Sequence, residues 1–406
     1  METMAGHTIK DQLETYRQQL TSELANILNY WMANTVDEQH GGFYGKIDND
    51  NNVIPASPKG SVLNARILWS FSAAYNQNPD ERYLQIAARA YAYIIKYFMD
   101  AEYGGVYWSV DDFGNPLDTK KQVYASAFTI YALSEYYKAS GVAEAKNNAV
   151  GLYKLLVDKS FDREKTGYLE AFTKEWQPIA DLRLSAKDAN EKKTMNTHLH
   201  VLEAYTTLYS IWPEQGLYKQ IQTLIHNFLD HIIDNKTSHL VLFFDEDWNK
   251  RSQTVSYGHD VEATWLLLEA AEAIGDDELI EKVKKVCTAI TDAVKEGLDA
   301  DGGLWYELEP AEKHLIKEKH WWVQAEAMVG FYNTWQLTNK EEYLALSLQN
   351  WAFVKQHILD KQNGEWFWGI DANGDVMQTE DKAGIWKCPY HNSRACIEII
   401  KRITKQ

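Results

Sequence analysis

Apolar residues fall along this chain in two alternating kinds of segment. One kind is striped. In Asp276–Lys295 the apolar positions Leu279, Val283, Val286, Ile290 and Val294 lie three or four apart, the spacing of a helix with one face on a core. The other kind is apolar on nearly every side, as in Val261–Ala271, and reads as a buried helix. A long link with turn residues such as Asp371-Ala-Asn-Gly374 leads from each striped helix to the buried one and reads as short hairpins. The link back is short and punctuated: Gln77-Asn-Pro79, Trp212–Gly216, Gly275-Asp-Asp277.

The alternation is periodic. An aromatic glycine motif recurs as Gly41-Gly-Phe-Tyr44, Gly104-Gly-Val-Tyr-Trp108, Thr166-Gly-Tyr-Leu169, Gly302-Gly-Leu-Trp-Tyr306 and Asn363-Gly-Glu-Trp-Phe-Trp368. Its last glycines are separated by 63, 62, 136 and 61 residues. The long step contains a copy without glycine, Leu240–Asp245. Six units of about 64 residues then nearly fill the 406. Six striped and six buried helices predict an all-α fold, an (α/α)6 barrel with short β-hairpins in the loops at its mouth. It is expected to form one domain over residues 1–406. An open α-solenoid is the alternative.

Composition narrows the partners. With 41 basic and 58 acidic residues the formal charge is -17, which disfavours nucleic acid or an anionic membrane surface. No apolar run reaches a membrane span, and the first ten residues lack the apolar core of a signal peptide. Cys287, Cys388 and Cys396 form no CxxC pair, so a cytoplasmic protein with free thiols is expected. Aromatics stand out at 13%, with 15 Trp. Such rings fill cores, line interfaces or stack on sugars.

In a closed ring the six buried helices point their N-termini at one mouth, where exposed N–H groups favour anionic intermediates. The polar residues near those starts are Asn64 and Arg66; Tyr124 and Ser126; Asn196, His198, His200 and Glu203; His259 and Glu262; His320, Trp322 and Glu326; and Trp386, His391 and Arg394. His200/Glu203, His259/Glu262 and His391/Arg394 are all i, i+3 pairs followed by Ala. This reads as one register in three repeats. His198 and His200 point apart on a helix, so they make a poor metal pair. The carboxylates and arginines also fit a purely structural role, and the tryptophans a core; Trp322 and Trp386, at helix starts, fit a sugar platform. Two imidazoles facing one cavity could serve two faces of one carbon, with an arginine to stabilise an enolate oxygen. That set calls for no metal and no cofactor. It fits proton abstraction alpha to a sugar carbonyl.

At these residues the sequence resembles the N-acylglucosamine 2-epimerase superfamily, and within it the cellobiose 2-epimerase branch. The likeness is carried by Lys193–Tyr205, Tyr257–Ala263, Trp321–Met328 and Lys382–Ala395. The resemblance implies an (α/α)6 barrel and reversible C2 epimerisation of the reducing-end glucose of β-1,4-linked disaccharides. Cellobiose would give glucosyl-mannose and lactose epilactose, with mannobiose a further substrate. It also implies roles. His259 and His391 would be the acid/base pair working through a cis-enediolate. His200 would assist ring opening. Arg66 would stabilise the enediolate oxygens, and Glu262 would orient or tune His259. Tyr124, Asp188, Asn196, Trp322 and Trp386 would hold the sugar. A monomer or weak homodimer is expected.

Three other readings stay open on the residues alone. One is a monosaccharide enzyme of the same superfamily, an N-acylglucosamine 2-epimerase or a mannose isomerase. Another is an (α/α)6 glycoside hydrolase using paired carboxylates from Asp188, Glu262 and Glu326. The last is a non-catalytic sugar-binding or scaffold protein.

Overall fold

Each striped segment and each apolar segment becomes a helix in the computed structural model, which describes residues 8–405. Most of the N-terminal stretch read above for a leader lies outside the described residues. The striped helices are α1 (Ile9–Asn34), α3 (Glu81–Tyr93), α5 (Ala143–Lys159), α7 (Gln215–Asn227), α9 (Asp277–Val294) and α11 (Glu341–Phe353). The apolar ones are α2 (Ser61–Gln77), α4 (Val123–Ser140), α6 (Met195–Tyr209), α8 (Tyr257–Ile274), α10 (Trp321–Thr338) and α12 (Tyr390–Thr404). The apolar helices pack in sequence order, α2 on α4, α6, α8, α10 and α12, and α12 returns to α2. That last contact closes the ring and rules out an open solenoid. Each inner helix carries one outer helix: α3 on α2, α5 on α4, α7 on α6, α9 on α8, α11 on α10, and α1 on α12. Among the described residues no helix is long and apolar enough to cross a membrane.

Local chemistry sets the helix ends. Gly275 closes α8 in the left-handed conformation at φ 68°, where a side chain would be strained. Asp276 then opens α9 by accepting from the Leu279 amide at 3.0 Å. On α9 the inward stripe runs Leu279, Val283, Cys287, Ile290 and Val294. The expected Val286 is only half-buried; Cys287 takes its place because four-residue steps from Leu279 and Val283 reach 287.

The short strands tie neighbouring units together rather than closing hairpins within one unit alone. The strand just before an inner helix pairs antiparallel with a strand of the next unit. Lys59–Gly60 pairs with Ser109–Val110, and Val255–Ser256 with Glu307–Glu309. Lys121–Gln122 pairs with Ala171–Phe172, Lys193–Thr194 with Phe243–Phe244, and Lys319–His320 with Gly369–Ile370. An Ile47–Ala383 bridge joins the first unit to the last. All these pairs precede inner-helix N-termini, so they ring the mouth.

Five of these pre-helical segments carry a buried lysine that reaches an aspartate of the preceding turn. Lys59 meets Asp37 at 2.7 Å, Lys121 meets Asp100 at 2.6 Å, Lys193 meets Asp162 at 2.8 Å, Lys319 meets Asp299 at 2.7 Å, and Lys382 meets Asp360 at 2.5 Å. Burying such a charge is costly unless it is paired. Each pair therefore holds its aromatic glycine loop against the strand that launches the next inner helix.

Candidate active site

The six inner helices start at the mouth, and their first two turns carry the candidate residues except Asp188, which lies in a loop, and Trp386, which sits in the loop four residues before α12 rather than at its start because Pro389 delays the helix to Tyr390. The single His register read from the sequence divides into two. His259 is the third residue of α8 and His391 the second of α12. His200 is the sixth residue of α6, one turn of about 5.4 Å deeper. Counted from the helix starts, His200 corresponds to Arg66, Glu262 and Glu326. The His-x-x-Glu-Ala likeness between α6 and α8 is thus out of phase with the fold by one turn.

Each of the three imidazoles is held through Nδ1. His391 Nδ1 lies 2.7 Å from Glu326 Oε1, His200 Nδ1 lies 2.9 Å from Glu203 Oε2, and His259 Nδ1 lies 2.8 Å from Ser256 Oγ. Among the described residues no hydrogen bond engages their Nε2 atoms. Burial pushes all three imidazoles toward the neutral form. His259 falls to about 3, helped by neighbouring His200, and His391 falls well below the usual range, helped by Arg66 and Arg394. His200 is lowered by burial despite its bond to Glu203. Neutral rings anchored at Nδ1 leave Nε2 for proton transfer. The Trp322 ring adjoins both outer histidines, with centroids 4.7 Å from His259 and 5.6 Å from His391. Gly258 permits this, since a Cβ there would come within 2.5 Å of the Trp322 ring.

Beneath the imidazoles, Arg394 gathers carboxylates from three other inner helices. Its Nη2 donates to Glu262 Oε1 and to Glu326 Oε1, each at 2.6 Å, and its Nη1 to Glu203 and the Tyr390 hydroxyl. Trp265 Nε1 donates to Glu326 Oε2 at 3.1 Å. Burial alone would raise Glu203, but Arg394 and His200 outweigh it and hold the carboxyl at about 2. Burial and the charge of Glu326 push Glu262 well above the usual carboxylate range. Glu262 does not orient His259, contrary to expectation. It faces Arg394, and its second oxygen is buried without a partner. The i, i+3 pairing produces a hydrogen bond only for His200 and Glu203. His391 instead reaches across to α10.

Arg66 lies on α2, the neighbour of α12 in the ring, and shares the Tyr390 ring with Arg394. Its Nη2 donates to the Tyr124 hydroxyl at 2.7 Å, and its guanidinium sits 4.3 Å from the Phe128 centroid and 4.8 Å from that of Tyr390. Tyr124 touches His200 edge-on at 5.2 Å and Trp386 at 6.0 Å. Arg66, Tyr124, His200 and Trp386 therefore form one cluster, and His259, Trp322 and His391 another. Asn196 is the second residue of α6, with a buried Oδ1 that has no partner. Asp188 is tied to its own loop through the Ser185 amide at 2.9 Å. Burial raises its carboxyl, and its charge is felt by Glu170, Tyr306 and Glu307. It belongs to the rim, with no bond to either cluster.

His198 is fully committed elsewhere. Nδ1 lies 2.7 Å from the Thr194 carbonyl, and Nε2 accepts from the Tyr168 amide at 2.9 Å. It braces the third aromatic loop, as Asp260 does for Leu240 and Gln324 for Leu304 at the same helical position. Ligand atoms of Glu262, Glu326 and His391 lie within 4.8 Å of one another. Arg394 already occupies the cation's position there. Asp37, His40 and Asp112 make a second such group, in which Lys59 takes Asp37.

Sequence reasoning missed Ser256, Trp265 and Tyr390. Ser256 adjoins the Tyr257–Ala263 motif and Tyr390 lies within Lys382–Ala395, so proximity to His259 and His391 was an available signal. Trp265 sits inside an apolar run, and nothing local distinguishes it from core.

The family model for N-acylglucosamine 2-epimerase (GlcNAc 2-epimerase) matches residues 42–395. The chain is 50% identical over 388 residues to cellobiose 2-epimerase of Bacteroides fragilis, covering 95% of this chain and 99% of that one. It is 39% identical over 394 residues to cellobiose 2-epimerase of Dictyoglomus turgidum, covering 96% and 100%. The solved structure of cellobiose 2-epimerase from Bacillus thermoamylovorans superimposes with a TM-score of 0.91 at 40% identity, covering 96% of this chain and all of that one.

Proposed function

The chain belongs to the N-acylglucosamine 2-epimerase family, and from that premise we propose how it acts as a carbohydrate epimerase. The reaction is reversible C2 epimerisation of the reducing-end glucose of a β-1,4-linked disaccharide, cellobiose or lactose. The observation that carries the mechanism is the pair His259 and His391. Both are anchored at Nδ1, both leave Nε2 free, and both adjoin Trp322.

The sugar reacts in its open-chain form, with an aldehyde at C1. Nε2 of one imidazole takes the C2 proton. The C2–H electron pair becomes the C1–C2 double bond, and the carbonyl electrons move onto O1, forming a cis-enediolate. The other imidazole, protonated at Nε2, delivers its proton to the opposite face of C2. The C1 carbonyl re-forms, and the configuration at C2 is inverted. Arg66 offers fixed positive charge to the enediolate oxygens. His200 assists ring opening. Trp322 and Trp386 stack on the rings, and Tyr124, Asn196 and Asp188 fix the hydroxyls. Arg394 with Glu203 and Glu326 holds His200 and His391 in place.

The hydrolase reading fits poorly, because Glu262 and Glu326 both bond the same Arg394 nitrogen and Asp188 is held within its loop. Product analysis with cellobiose in D₂O tests the proposal. Glucosyl-mannose carrying deuterium at C2 is expected. Release of free glucose without C2 label would overturn it, and fructose-ended product alone would make the enzyme an aldose–ketose isomerase rather than an epimerase.

A further inference from the structure

The two imidazoles proposed as the acid/base pair are held by chemically different groups. Glu326 holds His391, and its oxygens already accept from Arg394 and Trp265. Such a carboxylate accepts the Nδ1 proton. Ser256 holds His259, and a hydroxyl can either donate to Nδ1 or accept from it.

Ser256 is also the residue before the first turn of α8. Serine is favoured at that position because its oxygen usually accepts from an amide of the first turn. Here it makes no such bond. Thr194, at the same place before α6, does cap, accepting from the Thr197 amide at 3.1 Å. The Ser256 hydroxyl is fully buried and has turned from the helix end to His259 Nδ1 at 2.8 Å. Backbone pairing of Ser256 with Glu307 fixes the place from which it reaches.

We propose that Ser256 is the positioning residue of His259, diverted from helix capping to aim the imidazole and to stay bonded to Nδ1 as Nε2 gains and loses its proton. This rests on the two-histidine reading above. It assigns Ser256 to one face of C2 only, because His391 has its own anchor on α10.

The test is Ser256→Ala in D₂O, started separately from each pure C2 epimer. Deuterium entering the unreacted epimer is compared with conversion to the other. Misplacing one acid/base group costs roughly 100-fold in conversion. The epimer deprotonated by His391 should still exchange its C2 proton, because that imidazole is untouched, and wash-in should exceed conversion. The opposite epimer should show slow conversion without excess wash-in. Ser256→Thr should restore conversion in both directions, and Ser256→Val, its isostere, should not. The Thr/Val pair carries the same comparison should the alanine variant fold poorly. Wild-type behaviour in Ser256→Ala, equal loss of wash-in from both epimers, or rescue by Val would overturn the assignment. Wild-type enzyme that neither exchanges C2–H nor converts cellobiose would instead overturn the two-histidine reading itself.

Discussion

Glu326 accepts from His391 across the α10–α12 boundary, Nδ1 to Oε1 at 2.7 Å. The same oxygen takes Arg394 at 2.6 Å, and the other takes the Trp265 indole at 3.1 Å. With its carboxylate fixed on three sides, Glu326 sets the orientation of the imidazole and favours its protonated form, the cation that the proposed proton abstraction would create. Glu326→Gln removes that charge at nearly constant shape. It should lower kcat with little change in KM, whereas His391→Ala should cost on the order of 10²–10⁴ in rate. Steady-state kinetics on cellobiose, with circular dichroism for the fold, checks both.

Burial sets the expected pH dependence. A base must be neutral to act, and His259 is pushed down to about 3, with His391 also well below the usual range. The base is lost as pH falls through the depressed values, so the acid limb of kcat/KM should lie below the ordinary imidazole value of 6.5, while the opposite limb reports loss of the proton that the partner imidazole must carry. A pH profile of kcat/KM whose acid limb falls at 6.5 would contradict this.

Arg394 is the only arginine or lysine bonded to Glu262 or Glu326 among the described residues, and it also pairs with Glu203. Arg394→Met leaves those carboxyls buried without it. Breaking one side of a buried network of this kind costs about 3–5 kcal/mol. Urea denaturation should show a matching fall in midpoint, with activity lost as well because His200 and His391 lose their supports.

Glu170 is buried against Thr197 at 2.6 Å and Thr194 at 3.0 Å. Burial outweighs those hydroxyls and raises its carboxyl to about 8, from 4.5. Between those values the folded state binds more protons than the unfolded one, so stability falls as pH rises. Glu170→Gln removes this slope. Denaturation midpoints from pH 5 to 8 should be flatter in the variant than in the parent.

Gly258→Ala should act on the site rather than on the helix. Alanine is the better helix former by about 1 kcal/mol, yet its Cβ would stand 2.5 Å from Trp322 and 2.8 Å from Val323. The indole must shift from its place beside His259 and His391. KM for cellobiose should rise, and Tm should not gain what helix propensity alone suggests.

Periodicity and punctuation were enough to delimit the helices of this protein. The stripe of Leu279, Val283, Ile290 and Val294, the Gly275–Asp276 boundary and the recurring glycine motif each depend on neighbours within a few residues, so they are readable in one dimension. The same local logic put Arg66, Tyr124, Asn196, His200, His259, Trp322 and His391 at inner-helix starts, and six units imply a ring. What each side chain touches was decided only by closure of that ring. His391 meets Glu326 over 65 residues of sequence, Arg394 meets Glu203 over 191, and Glu262 turns to Arg394 rather than to His259. The phase of His200 against His259 was also hidden, because a three-residue offset keeps a residue on nearly the same helix face while moving it a full turn along the axis. Local spacing reports which face a residue occupies; depth and partnership depend on how six helices meet.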